Sequence, residues 1–136
     1  MVPGNFYLHE FEMKEGTVMI HPSVLISLEM LRYDLNAEIK RGIKIIITGS
    51  TRSEATNNAL GEKQGWIEEG GTVSRVSRHL PKYGGIAVDF YAVYANGKRV
   101  AQKTVAKIAR KYFDYVNDKY SDGHVHGDNR NHRKHI

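Results

Sequence analysis

The sequence predicts an α+β fold, in which helices pack on a small and largely antiparallel sheet. Helical patterns and short apolar, β-branched runs are mixed without the strict alternation that a parallel sheet requires. No repeat, linker or low-complexity block divides the 136 residues, a length that fits one hydrophobic core. We therefore expect a single domain over residues 1–136, with a loose basic tail from about residue 130.

Three segments have helical features. The first begins at Pro22, a residue type that suits a first helical turn, and ends near Gly42. The segment 100–113 has similar amphipathic spacing. The segment 54–70 follows Ser53, a good helix cap, but its two internal glycines make it less regular. In the first helix the predicted core-facing residues recur three or four positions apart and are Val24, Leu25, Leu28, Leu31, Leu35 and Ile39.

Strands are predicted between and after these helices. Residues 43–49 form an apolar, β-branched run that is typical of a buried strand. Residues 85–97 alternate in polarity and end in an Asn-Gly turn. Residues 114–129 divide into two short strands joined by a turn at Asp122 and Gly123.

The composition limits the chemistry and leaves the partner open. The chain contains no cysteine, which excludes disulfides, a thiol nucleophile and cysteine-ligated zinc. Any metal must therefore be held by His, Asp or Glu. The formal net charge of +5 is compatible with a polyanionic partner, either nucleic acid or the anionic bacterial wall, and charge alone does not choose between them.

The start of the chain does not have the pattern of an export signal. Residues 1–16 lack the basic start and long apolar run of a secretory signal, and no apolar run approaches the roughly 20 residues of a membrane span. We expect a product made in the cytoplasm without a membrane span. An extracellular substrate would then require delivery by another factor.

Polar residues alternate near the end of the chain. His124, His126 and Asp128 are two positions apart, so on an extended strand all three side chains project from one face. Two imidazoles and a carboxylate in one row favour a functional site. The alternative is that they belong to a histidine-rich basic tail with His132 and His135.

A further histidine and an aspartate complete a possible ligand set. His79 lies just before a loop, and Asp89 lies inside an apolar strand, where a carboxylate needs solvent or a partner. Each residue by itself is more often structural. Together with His126 they provide nitrogen and oxygen ligands suited to zinc, and three protein ligands leave a fourth position for water, as in catalytic sites.

The order of the motifs TGSTRS, SRH, GIAVDF and HVHGD resembles a family of zinc peptidases, the D-alanyl-D-alanine carboxypeptidases and L-alanyl-D-glutamate endopeptidases. The resemblance runs from about residue 5 to about residue 130, and the start of the chain looks like that of small phage-associated members. It implies the hedgehog/DD-peptidase fold and hydrolysis of peptide bonds that contain D-amino acids in peptidoglycan.

The resemblance also implies roles for individual residues. His79, Asp89 and His126 match the ligands of one Zn²⁺ per chain. Arg52 matches the residue that grips a carboxylate or a carbonyl oxygen of the substrate. Ser77 matches a small residue that supports the site by hydrogen bonding near the substrate.

Two departures from the family pattern concern specificity and proton transfer. The segment between His79 and Asp89 is three residues longer than the family's usual spacing, which puts the bond cleaved in doubt. Gly123 occupies the position where many relatives have a glutamate as general base. His124 is then the first choice for proton transfer and Asp122 the second.

The function predicted from these patterns is a monomeric, endolysin-like zinc peptidase of phage or prophage type. It would act on peptidoglycan peptides of the cell wall after release from the cell, with no nucleic acid as partner. One alternative is a carboxypeptidase that removes the terminal D-alanine. Two others are a catalytically silent hedgehog-like binding module and nucleic-acid binding through the basic tail, which would weaken steeply with salt.

Overall fold

The computed structural model of the protein describes residues 6–13, 20–51, 54–74, 78–80 and 86–130. These ranges contain three helices, a four-stranded antiparallel sheet and two short 3-10 turns, which confirms the predicted α+β class. In chain order the elements are α1 (Pro22–Glu38), β1 (Lys44–Gly49), α2 (Glu54–Gln64), β2 (Ala87–Val93), α3 (Gln102–Ala109), β3 (Tyr115–Asn117) and β4 (Val125–Asp128), with the 3-10 turns at Leu8–Phe11 and Ile67–Glu69.

The sheet has the strand order β1-β2-β4-β3, and every neighbouring pair is antiparallel. The two central strands, β2 and β4, pair so that Asp89 lies directly opposite His126. On the other side of β2, Asp89 is opposite Gly49, next to an irregularity in the pairing at the end of β1. The pairing therefore brings two of the predicted ligands side by side in the middle of the sheet.

The helices pack on the sheet through the faces that their spacing predicts. In α1, four of the six predicted core residues are fully buried, whereas Ile39 follows the helix and keeps 38% of its surface exposed. α3 buries Val105 and Ile108 against the same core. Within the described ranges, no helix combines the length and the apolar character needed to cross a bilayer.

The second helix is shorter than predicted. α2 ends at Gln64 instead of continuing to residue 70, because Gly65 has a left-handed backbone with φ of 85° that stops the helix. The chain then turns back, and the Trp66 indole packs directly on Gly61, where any side chain would overlap it. Both glycines of this segment thus have structural roles in ending the helix and burying Trp66.

The end of β4 is fastened to the first helix. The Asn129 side chain is fully buried and donates hydrogen bonds to the hydroxyls of Ser23 and Ser27 at 3.2 and 3.1 Å. Its main-chain N–H donates to the carbonyl of Ile86 at 3.1 Å. The predicted basic tail starts at about residue 130, but Arg130 packs on the body of the protein through Asp128 and Tyr115, and residues 131–136 lie outside the described part.

Candidate metal centre

Three of the predicted site residues converge on one point. One ligand atom from each of His79, Asp89 and His126 lies within 4.8 Å of the other two. His79 Nε2 is 3.3 Å from Asp89 Oδ2, and His126 Nδ1 is 3.0 Å from Asp89 Oδ1. Ligands bonded at 2.0–2.1 Å in a tetrahedron are about 3.3 Å apart, so these spacings fit an ion placed among them. The group can hold a metal ion.

Asp89 reaches this point because of its place in the sheet. It lies on the central strand β2, and its neighbour across the sheet on β1 is Gly49. A Cβ atom at residue 49 would lie 3.2 Å from Asp89 Oδ2 and would press on the carboxylate. Glycine in the TGS segment therefore leaves room for the carboxylate to face the two histidines.

His79 is held by a main-chain group. Its Nδ1–H donates a hydrogen bond to the carbonyl of Ser50 at 2.7 Å, just after the end of β1. This bond leaves Nε2 without the proton in the neutral ring and directs it toward Asp89. The side chain is only 4% exposed, so its orientation is set by the protein and not by solvent.

His126 is held by a carboxylate on its own strand. Nε2 donates to Asp128 Oδ2 at 2.8 Å, and Nδ1 faces Asp89. In each histidine one ring nitrogen is thus anchored and the other points into the same space, although the anchored atom is Nδ1 in His79 and Nε2 in His126. Such anchoring of the outer nitrogen is typical of histidines that bind metals.

The charges of the metal-free site are strongly coupled. Burial raises the pKa of Asp89, but the adjacent His79 and His126 outweigh this effect and hold the pKa well below its usual range. Burial lowers the pKa of His126, but the hydrogen bonds to Asp128 and Asp89 outweigh it and raise the pKa to about 9. The two carboxylates therefore favour positive charge at this point, as a proton on His126 or as a metal ion.

The centre opens into a cleft of about 710 Å³, a size that suits a small peptide or another ligand of moderate size. Leu60, Gln64 and Ile67, from α2 and the turn after it, line one part of the cleft. Tyr115 and Tyr120, from β3 and the loop before β4, line another. The ligand group is therefore accessible from solvent and is not a closed structural site.

The two predicted proton-transfer residues form a pair at this cleft. His124 Nδ1 is 2.5 Å from Asp122 Oδ1, and His124 Nε2 is 3.9 Å from Asp89 Oδ1. The Tyr120 ring stacks on the His124 ring with 3.9 Å between the centroids. His124 thus lies next to the ligand group, and Asp122 contacts it from the outer side.

Two side chains bind main-chain carbonyls of the loop that carries Asp122 and His124. Gln102 Nε2 donates to the carbonyls of Tyr120 and His124 at 3.0 and 2.8 Å. Arg99 donates to the carbonyl of Asp122 at 2.8 Å. The turn itself uses Gly123 at φ of 87°, in agreement with the predicted turn at residues 122 and 123. Gly123 therefore has a conformational role in this turn.

Other predicted site residues lie outside the described part of the chain. Arg52 and Ser77 are among them, and so is most of the longer segment before Asp89, residues 81–85. The roles given to Arg52 and Ser77 stay predictions. The carbonyl of Ser50 and the guanidinium of Arg130 are two contributors that sequence reasoning missed. The carbonyl has no sequence signal, whereas Arg130 continues the alternation of residues 124, 126 and 128.

Comparison of the chain with models of known protein families, with curated proteins and with solved structures finds no match in any of the three. The firmest property of the site is the convergence of two anchored imidazoles and one carboxylate beside an open cleft.

Proposed function

We propose that the protein is a zinc peptidase that hydrolyses peptide bonds next to D-amino acids in the stem peptides of bacterial peptidoglycan. The observation that carries the proposal is the ligand group itself. His79 Nε2, the Asp89 carboxylate and His126 Nδ1 face one point, and both histidines are anchored through their other nitrogens. The motifs that resemble the zinc peptidase family support the same ligands and the substrate class.

We propose zinc as the metal because the motifs resemble those of zinc peptidases and because the donors are compatible with it. Two imidazoles and one carboxylate suit a borderline metal, whereas calcium and magnesium prefer sites made wholly of oxygen atoms. Three protein ligands beside a cleft leave a coordination position for water or substrate. When bound, zinc would supply an activated water nucleophile at neutral pH and polarise the scissile carbonyl.

His124 is proposed to move the proton to the leaving amine. Its Nε2 faces the ligand group, 3.9 Å from Asp89 Oδ1, so it lies close to any bond positioned there. Asp122 contacts the other ring nitrogen and would keep the proton on Nδ1 in the neutral ring. This arrangement gives Asp122 an orienting role instead of the role of an independent base.

Substrate binding is proposed to depend on arginine. Arg52 keeps its predicted role as the group that grips a carboxylate or a carbonyl oxygen. Arg78 lines the cleft next to His79. Stem peptides carry free carboxylates, which a guanidinium binds through two parallel hydrogen bonds.

We also propose the hedgehog/DD-peptidase fold, a monomeric state and action on the wall after release from the cell. The fold proposal is supported by the antiparallel sheet, whose central strands carry Asp89 and His126 side by side. The other two rest on the resemblance to small phage-associated peptidases.

The test measures bound zinc per chain, in the natural protein and in Asp89→Ala, followed by digestion of purified peptidoglycan. We expect about one zinc that is lost in the variant. Mass analysis should then detect new peptide fragments, whereas release of free D-alanine alone would assign a carboxypeptidase. Failure to bind zinc after reconstitution would overturn the proposal. A zinc-loaded protein that releases no product would leave a hedgehog-like binding module.

A further inference from the structure

We propose that Arg130 is a positioning residue of the metal centre. Its guanidinium holds Asp128, and Asp128 holds the His126 ring in the orientation that presents Nδ1 to the metal. The proposal rests on the proposed function, because it concerns how the same site binds its metal. It extends the site to a residue at the start of the predicted basic tail.

The contacts form a continuous chain from the guanidinium to the ligand atom. Arg130 Nε donates to Asp128 Oδ1 at 2.8 Å, and Arg130 Nη2 donates to Asp128 Oδ2 at 2.7 Å. Asp128 Oδ2 also accepts from His126 Nε2 at 2.8 Å. The main-chain N–H of Arg130 adds a bond to Oδ1 at 3.2 Å. Both carboxylate oxygens are therefore occupied, and only one of them contacts the ring.

The contacts of Asp128 matter because its side chain is buried. With the guanidinium in place the Asp128 side chain has no exposed surface, so its orientation depends on its protein partners and not on solvent. Without the guanidinium, the Asp128 carboxylate would have a hydrogen bond to only one side chain among the described residues, that of His126. Loss of Arg130 is thus expected to shift the carboxylate, and with it the ring that the carboxylate orients.

Arg130 itself is held in place on two sides. Its guanidinium carbon lies 3.9 Å from the centroid of the Tyr115 ring, on the neighbouring strand β3. The preceding residue, Asn129, is bonded to α1 and to the carbonyl of Ile86. A planar guanidinium can stack on the ring and donate two bonds to the carboxylate at once, which a lysine ammonium cannot do.

The experiment measures the zinc dissociation constant by competition with a chelator in Arg130→Ala, Arg130→Lys, Asp128→Asn and the double variant Arg130→Ala/Asp128→Asn. We expect Arg130→Ala to weaken zinc binding by about 10- to 100-fold, with Arg130→Lys giving little recovery. In the Asp128→Asn background, Arg130→Ala should add little, because the arginine acts through the aspartate. Equal zinc affinity in Arg130→Ala and the natural protein would overturn the proposal, and so would fully additive effects.

Arg110→Ala is the matched control, because Arg110 also pairs with a mostly buried aspartate, Asp118, but does not line the cleft. A second measurement does not need zinc. By NMR of the metal-free proteins, the proton on His126 Nε2 should exchange slowly with water in the natural chain and faster in Arg130→Ala. An unchanged exchange rate would overturn the positioning role. If the His126 Nε2 proton of the natural protein exchanged slowly but the protein bound no zinc, the proposed function would be overturned.

Discussion

His124 and His126 are two positions apart in one segment, both face Asp89, and yet they are placed in different environments. His126 Nδ1 is 3.0 Å from the Asp89 carboxylate, whereas His124 Nε2 is 3.9 Å away. The outer nitrogen of His126 contacts a fully buried aspartate, and that of His124 contacts Asp122, whose side chain is 70% exposed. One histidine is fixed inside the sheet and the other lies on a loop beside the cleft.

The difference between the outer partners separates two kinds of task. A buried carboxylate, itself bonded to an arginine, gives His126 one orientation, as a metal ligand requires. A solvated carboxylate next to His124 lets protons pass to water, as an acid–base residue requires. We therefore expect replacement of His126 to impair zinc binding and replacement of His124 to impair turnover.

The largest effect is expected from His126→Ala. The substitution removes one of the three proposed ligands, so zinc binding should fall from about one equivalent per chain to a trace, and peptide hydrolysis should fall with it. The measurement is metal content after dialysis. His9→Ala, which replaces an exposed histidine outside the cleft, is the control. If the His126 variant retained zinc, His126 would not be a metal ligand, and the proposed difference in role between His124 and His126 would be wrong.

A smaller and different effect is expected from His124→Ala. Zinc should remain bound, since the three ligands are untouched, while kcat falls by about 10²- to 10⁴-fold through loss of proton transfer. Metal content and steady-state rates on a stem-peptide substrate separate the two effects. If zinc were lost from this variant as readily as from His126→Ala, His124 would belong to the ligand set.

The smallest expected effect is that of pH on the zinc affinity of the folded protein. In the metal-free protein the pKa of His126 is raised from 6.5 to about 9, so zinc must displace a proton from His126 at any pH below about 9. Zinc affinity should therefore rise with pH, by up to about tenfold per pH unit between pH 6.5 and 8. Calorimetry in buffers of different ionisation enthalpy counts the protons released. An affinity that does not change over this range would contradict the coupling.

The same shift predicts the pH dependence of stability in the metal-free protein. The pKa of His126 is higher in the folded state than its ordinary value of 6.5. Its contribution to the free energy of unfolding is therefore complete below about pH 6.5 and is lost as the pH rises through about 9. Urea unfolding of the metal-free chain at pH 6 and pH 9 provides the measurement.

Local patterns allowed the elements to be predicted, because burial follows spacing. Leu28, Leu31 and Leu35 are fully buried, as their spacing indicates, and the residue types of β1 and β2 indicate their strands. The end of α2 was predicted too late, since the left-handed backbone of Gly65 and the packing of Trp66 on Gly61 depend on how the chain turns back. Glycines reveal flexibility in a sequence but not the contacts that require them.

The ligand set could be predicted for a different reason. Asp89 stands out because a carboxylate inside an apolar strand is unusual, and His126 stands out because it alternates with His124 and Asp128. Their supporting partners do not stand out. The carbonyl of Ser50 has no side-chain signature, and Arg130 looks like one more basic residue in a basic segment. Those contacts follow from sheet pairing, which joins residues far apart in sequence.

The position of β4 has a consequence for when the protein acquires its site during synthesis. β4 is the last strand of the described chain, yet it lies between β2 and β3 near the centre of the sheet. β2 therefore leaves the ribosome well before β4, and Asp89 has no His126 beside it until about residue 130 has emerged. We expect a growing chain to have no complete metal site, so the proposed zinc binding would arise only after this last strand has left the ribosome.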